Sequence, residues 1–328
     1  MRAADGVVKH SLDNGVETVT YNGKSYIVHP AFETNLDFGG WSSDLTGFWF
    51  AKYEMSGSSY SALTSVPGAE GERLLTIGDQ YLWGRKATYG YTGTSETLNS
   101  NGTDYTYTSY MSSHLIKNSE WGAVAYLTHS QYGRNGNEID INNSYTTGNG
   151  GGSTSASSAS GIINAYNTVL GAKASSTGNI YGIYDMSGGA LERVASYNKS
   201  GSSTYIEGSR YGLSMTQEAK NVSGNYESTK YITAYSNGTS SSPGNSVVYG
   251  VGKTGDATKE ANKGGNYNTT STLYANWFKD QSYFCDENEP FLSRGDSQSS
   301  GFTAGIFSLR SSTGSDIGWM STRTALCP

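Results

Sequence analysis

Apolar and polar positions alternate at residues 16–21 (Val-Glu-Thr-Val-Thr-Tyr) and again at 24–28 (Lys-Ser-Tyr-Ile-Val). Asn22-Gly23 stands between the two runs. That pattern predicts a β-hairpin, because Asn-Gly supports the tight turn that joins two twisted strands. An aromatic run at 47–54 (Gly-Phe-Trp-Phe-Ala-Lys-Tyr-Glu) predicts a further strand. At 76–79, Thr-Ile-Gly-Asp resembles a capping box with Asp in the place of Glu or Gln, and a short helix through about Ala87 should follow. The clearest helix starts near Asn118 or Ser119 and reaches His129. Trp121, Val124, Ala125 and Leu127 or Thr128 recur at its 3.6-residue period, and Glu120 in the first turn suits the helix dipole.

Elsewhere the periodicity fades. Residues 148–161 are almost entirely Gly, Ser and Thr and should form a surface loop. Residues 198–270, rich in Gly, Ser, Asn and Tyr, should be long loops with short strands. No internal repeat and no Pro-rich linker divides the chain. The expectation is a tail and the start of the hairpin at 1–24, then one domain over 25–328.

Composition sharpens this. The 328 residues include 43 Gly and 26 Tyr, while only 15% are charged. Low charge argues against an ordinary cytosolic enzyme, and the aromatic content argues against disorder. A mixture of Tyr, Ser, Gly and Asn is the chemistry of recognition loops. The net charge of −6 comes without any basic block, so nucleic acid is not an expected partner. No apolar run approaches the ~20 residues of a membrane helix, so no membrane insertion is expected. The start of the chain lacks the apolar core of a signal peptide. Cys285 and Cys327 could form one disulfide or remain two buried thiols.

Candidate chemistry is sparse. His10, His29, His114 and His129 show no ligand spacing, and His129 in a last helical turn fits the dipole better than a metal. No nucleophile elbow, phosphate-binding loop or dinucleotide fingerprint is present. Asp286, Glu287 and Glu289 could bind a cation, although a solvated acidic turn is the plainer expectation. Asn101, Asn142 and Asn198 begin glycosylation sequons of the kind that arise by chance in so Asn/Ser-rich a chain. Arg294-Gly295-Asp296 spells an adhesion tripeptide.

The stretch Asn-Ile-Tyr-Gly-Ile-Tyr-Asp-Met-Ser-Gly-Gly-Ala-Leu-Glu-Arg-Val at 179–194 reads as a tight turn, with Asp185 free to accept backbone N–H groups and Gly188 and Gly189 permitting positive φ. It resembles the YGLYDMSGNVWEW signature of formylglycine-generating-enzyme-type (sulfatase-modifying-factor) domains, a variant of the C-type-lectin fold. Residues 115–126 resemble that family's second helix. Residues 291–297 resemble its RGGS strand entry, and 321–323 its closing GFR strand. The matches stand in the family's order and cover residues 26 to 328. Departures are Asp296 for Gly, Leu191 and Arg193 for aromatic positions, and Ser321 and Thr322 for Gly-Phe. The catalytic cysteines of the family's enzymes would fall at Ser300 and Gly305, so the oxidase chemistry is not expected. Calcium-dependent sugar lectins are not matched either, since Glu289-Pro290 is followed by Phe291 and no Trp-Asn-Asp occurs.

The C-terminal segment is similar to the variable proteins of diversity-generating retroelements, in which adenine-directed mutagenesis rewrites a binding surface on a fixed scaffold. The resemblance implies an α+β C-type-lectin-like fold with long loop insertions. It also implies a non-catalytic ligand- or receptor-binding protein on a bacterial cell surface or phage virion. Its partner would be a protein or glycan on another cell or host surface. No cofactor is implied, with room for a structural calcium and for a homo-oligomer. The alternatives are a static pilus or virion component and, behind it, a formylglycine-generating-type oxidoreductase. The implied scaffold is Trp121, Tyr184, Asp185, Gly188, Glu192, Arg294, Gly295 and Arg323, with Asp185, Glu192 and the two arginines in buried polar links. The variable region would span about 294–324. Its ligand-facing residues would be Asp296, Gln298, Ser300, Phe302, Thr303, Leu309, Ser311, Ser312, Ser315, Asp316, Ile317, Trp319, Met320, Thr322 and Thr324. Arg294 and Gly295 would then be scaffold, and only Asp296 of the tripeptide would face a ligand.

Overall fold

The computed structural model describes residues 9–13, 16–21, 24–36, 39–87, 94–100, 103–109, 112–155, 163–200, 206, 211–236, 255–258, 278 and 280–327. β1 (Lys9–Asp13) pairs antiparallel with β2 (Val16–Tyr21), which pairs in turn with β3 (Lys24–Ile27). Tyr21 stands opposite Lys24, which leaves two residues for the turn, as Asn-Gly requires; Asn22 and Gly23 themselves lie outside the described residues. Lys9–Asp13, expected as part of a tail, adds a third strand to the hairpin.

The strand expected at 47–54 shortens to β4 (Trp49–Phe50). Beyond it the backbone bonds irregularly, with the Ala51 amide donating to Thr324 O at 3.0 Å and the Met55 amide to Thr322 O at 2.9 Å. α1 (Ile77–Lys86) starts where Thr76 Oγ1 accepts from the Asp79 amide at 3.1 Å, a side-chain cap for an otherwise orphaned N–H. β5 (Thr94–Ser100) and β6 (Thr103–Ser109) form an antiparallel pair. β7 (Ser112–Leu115) then enters α2 (Asn118–His129). Trp121, Val124, Ala125 and Thr128 are buried on α2, whereas Leu127 is exposed. That resolves the apolar stripe in favour of Thr128.

β8 (Asn149–Gly150) and β9 (Asn164–Ala165) pair briefly. Gly148, Asn149 and Gly150 are therefore interior, not the start of a surface loop; residues 156–161 of that run lie outside the described residues. β10 (Leu191–Asn198), α3 (Leu213–Glu218) and β11 (Thr233–Tyr235) follow, and residues 237–254 and 259–270 of the expected loop region lie outside the described residues. The chain closes with β12 (Phe291–Gly295), β13 (Gly305–Ser312), β14 (Met320–Thr322) and β15 (Thr324–Cys327).

The result is an α+β fold centred on a five-stranded sheet of order β11-β10-β12-β13, with β14 also beside β10. The sheet is mixed: β10 runs parallel to β11 and β14 and antiparallel to β12. Successive side chains leave opposite faces, as a pleated strand demands. Val194 and Leu292 join Trp121, Val124 and Ala125 of α2 in one apolar cluster. Ala195, Tyr197 and Phe291 join Ile77 and Tyr81 of α1 and Met215 of α3 in another. Both faces are thus covered, and every residue of β10 and β12 is buried. A smaller sheet, β4-β15-β7, is tied to the first through the Ile116 amide to Arg323 O at 3.1 Å and the Ala195 amide to Ile116 O at 2.7 Å. Cys285 and Cys327 are buried thiols, not joined in a disulfide, in different apolar clusters.

Candidate functional site

A polar hub anchors the C-terminal strands. Arg323 makes a two-point contact with Glu192, Nε to Oε2 at 2.8 Å and Nη2 to Oε1 at 2.5 Å. Its other donors reach Ala51 O at 2.7 Å and Tyr184 O at 2.8 Å. The next carboxylate, Asp185, sits at φ 63° in the left-handed region. Its oxygens accept from Asn142 Nδ2 at 2.9 Å and from the Gly148 amide at 2.8 Å. Glu54 is the third, accepting from the Ala190 amide at 2.9 Å. Three buried carboxylates surround one guanidinium. Burial, then the charges of Asp185 and Glu192, pushes the Glu54 carboxyl well above its usual range. Gly188 and Gly189 close the turn at φ 75° and 73°. A Cβ on Gly188 would stand 2.2 Å from Asn142 O, and one on Gly189 2.4 Å from Glu54 Oε1.

Arg294 is buried with no carboxylate in direct contact among the described residues. Its guanidinium lies over the Trp121 ring at 5.8 Å and donates to Ala257 O at 3.2 Å. Nε and Nη1 have no hydrogen-bond partner among the described residues. The buried polar links expected for the two arginines thus take different forms, an ion pair with Glu192 for Arg323 and a hydrogen bond to Ala257 O for Arg294.

Two loops rise from this frame. The first follows β12. Asp296, at φ 58°, turns its carboxylate inward. There it accepts from the Ser297 amide at 2.8 Å, Ser300 Oγ at 2.7 Å, Arg310 Nη1 at 3.1 Å and Thr303 Oγ1 at 3.5 Å. The Gln298 amide donates to Gly189 O at 2.8 Å, which pins the loop to the glycine turn. The second loop joins β13 to β14. Arg193 holds it from below by donating to Ser315 O, the Ile77 amide reaches Gly314 O at 2.9 Å, and Arg73 Nη1 reaches Gly318 O at 2.5 Å. The Leu191 amide donates to Trp319 O at 2.9 Å. Both loops therefore dock on the 189–191 segment, one at each end.

Placed on this geometry, the residues expected to face a ligand divide. Phe302 (47% exposed), Asp316 and Trp319 (50% exposed) project into solvent. Gln298, Ser300, Thr303, Ser315 and Ile317 are half-buried beside them. Asp296, Leu309, Ser311, Ser312, Met320, Thr322 and Thr324 are buried, which corrects the expectation that they face outward. Asp296 is the internal acceptor of its own loop, and the other six lie on β13, β14 and β15, whose sides are covered. The adhesion tripeptide is thus not displayed, since Arg294, Gly295 and Asp296 are all interior.

Sequence reading missed Leu74, 68% exposed. Its Cδ2 lies 3.5 Å from the position a Gly318 Cβ would take, so it borders Trp319's loop. Neither its spacing nor its type marked it, because the contact spans most of the chain. Within the acidic cluster Asp286 is buried, its Oδ1 accepting from the Asn288 and Glu289 amides at 2.7 and 2.8 Å, while Glu287 and Glu289 are half-buried. Asn142 and Asn198 are buried, so neither sequon is open to a glycosylating enzyme in the folded chain; Asn101 lies outside the described residues. No helix among the described residues is long and apolar enough to cross a membrane.

No protein-family model matches the chain, and no curated protein matches it significantly.

Proposed function

We propose that the chain is a non-catalytic ligand-binding protein of C-type-lectin-like architecture, carried on a bacterial cell surface or phage virion. Its binding surface would be the two loops at 297–303 and 313–319. One observation carries the reading. Large aromatic side chains, Phe302 and Trp319, stand exposed on loops whose backbones are fixed to a buried frame. Exposed aromatics amid small polar residues are the composition of recognition surfaces. A rigid frame beneath them lets side chains change without unfolding the domain. The ligand-facing set reduces to Gln298, Ser300, Phe302, Thr303, Ser315, Asp316, Ile317 and Trp319, with Leu74 alongside. The partner would be a protein or glycan on another cell.

Diversification by a retroelement rests on the resemblance of the C-terminal segment. Sequencing the DNA beside the gene tests it. A near-identical copy of the 3′ coding end, differing at adenines and adjoining a reverse transcriptase, is expected. Sibling chains should then differ at the exposed loop positions and keep Leu309, Ser312 and Thr322. Differences scattered evenly over the chain would favour a static structural component instead. For binding itself, Phe302→Ala and Trp319→Ala should each weaken attachment to a responsive cell or glycan surface by about 2 kcal/mol or more. Unchanged attachment in both variants would move the site elsewhere.

A further inference from the structure

We propose that His114, Glu120 and Cys327 form a buried site for a thiophilic divalent transition metal, zinc(II) in the first instance. The three residues come from separate elements that the fold forces together. β7 and β15 pair with His114 opposite Ala325 and Cys327 opposite Ser112, so His114 and Cys327 leave the same face of the sheet on a diagonal. Glu120 enters from the first turn of α2. Its Oε2 accepts from the Lys117 amide at 2.8 Å, and its Oε1 is left facing His114 Nε2 at 2.8 Å. One ligand atom from each residue lies within 4.8 Å of the others, and all three residues are buried. The imidazole thus presents Nε2 to Glu120, while its Nδ1 is buried with no hydrogen-bond partner among the described residues.

The chemistry selects the metal class. Sulfur, imidazole nitrogen and carboxylate oxygen together suit zinc and not calcium or magnesium, which take oxygen ligands. Bonds of about 2.0–2.3 Å place tetrahedral zinc ligands roughly 3.3–3.8 Å apart. The His–Glu contact would open slightly and the sulfur would close in, both within side-chain reach. A thiolate and a carboxylate carry two negative charges, which zinc(II) would match at the ligands themselves, while the buried Lys117 ammonium nearby donates to Gly39 O at 2.7 Å. The rings of Trp41 and Tyr231 flank the imidazole at 5.7 and 5.4 Å. Loading would displace the thiol proton as the Zn–S bond forms. Because the site is closed, the metal has to enter during folding.

The test refolds the full chain from denaturant, under thiol reductant, with one equivalent of cobalt(II) as a spectroscopic probe. The expected result is a thiolate-to-cobalt charge-transfer band that saturates at one equivalent and disappears on adding zinc(II). The band should be lost in Cys327→Ser and kept in Cys285→Ser, which removes the other buried thiol. X-ray absorption of the zinc-loaded wild-type chain should show one sulfur at about 2.3 Å among nitrogen or oxygen scatterers. That readout needs no variant to fold. Absence of the band from refolded wild type, its survival in Cys327→Ser, or a zinc shell without sulfur would each overturn the site and leave a plain His–Glu pair beside a thiol.

Discussion

Arg323 and Arg294 make an instructive pair. Both are fully buried long cations of the C-terminal half, Arg294 on β12 and Arg323 between β14 and β15, and both belong to the frame beneath the loops. Their surroundings differ in one respect. Around Arg323, burial opposes the charge, but Glu192, the nearest partner, more than offsets it and holds the guanidinium above its ordinary range. Around Arg294, burial again opposes the charge, and the more distant Asp256 does not compensate, so its pKa falls to about 10. A charge that is paired at hydrogen-bond distance becomes a structural joint. One that rests on an aromatic face and a single carbonyl is held mainly by shape.

Substitutions break or sharpen that contrast. Arg323→Met should cost the most, about 3–5 kcal/mol, because Glu192 and Asp185 would remain buried without a cation. Denaturant unfolding measures it, and a loss below about 1 kcal/mol would show that the hub is not the joint it looks. Leu309→Ala, inside the segment expected from sequence to face a ligand, should cost about 2–5 kcal/mol if that position is core. Near-neutrality there would restore an outward-facing strand. Arg294→Met should cost at most about 2 kcal/mol, since among the described residues it strands no directly paired carboxylate and gives up one hydrogen bond and one ring contact. A loss equal to that of Arg323→Met would erase the difference between the two sites.

The hub also carries a pH signature. A carboxyl raised above its unfolded value contributes stability below that value and loses it as pH rises through the folded value. Glu54, whose ordinary value is 4.5, is raised. The chain should therefore lose stability on going upward from about pH 4.5 on account of this group, and Glu54→Gln should flatten that part of the profile. Thermal melts across pH on both proteins decide it; parallel profiles would mean that Glu54 is ionised in the fold. At the small end, Trp319→Ala should change stability by about 0.5 kcal/mol or less, as an exposed loop residue does.

Local signals were legible in the chain. The hairpin around Asn22-Gly23, the Thr76 cap and the α2 stripe depend on neighbours within four positions, and each lies where its pattern put it. Asp185 and the glycines at 188 and 189 were readable for the same reason, because a tight turn declares its residue types. What failed was exposure in the C-terminal segment. β13 reads Gly-Ile-Phe-Ser-Leu-Arg-Ser-Ser, and its serines look like surface. They are interior because the strand is covered by segments that no spacing links to it: Ser311 donates to Glu289, and Ser312 donates to Met320 Sδ at 3.5 Å. Small hydroxyls that find partners across the fold are at home in a covered strand, although Ser308 Oγ has no hydrogen-bond partner among the described residues. The parallel pairings of β10 were equally hidden, since parallel partners are distant in the chain.

For the proposed binding surface, the inward carboxylate of Asp296 has a kinetic consequence. It gathers a backbone amide, two hydroxyls and a guanidinium into one knot, so the loop bearing Phe302 is already arranged before any partner arrives. Less conformational freedom is then surrendered on contact. Variation at the loop's rim should accordingly alter how long complexes last far more than how fast they form.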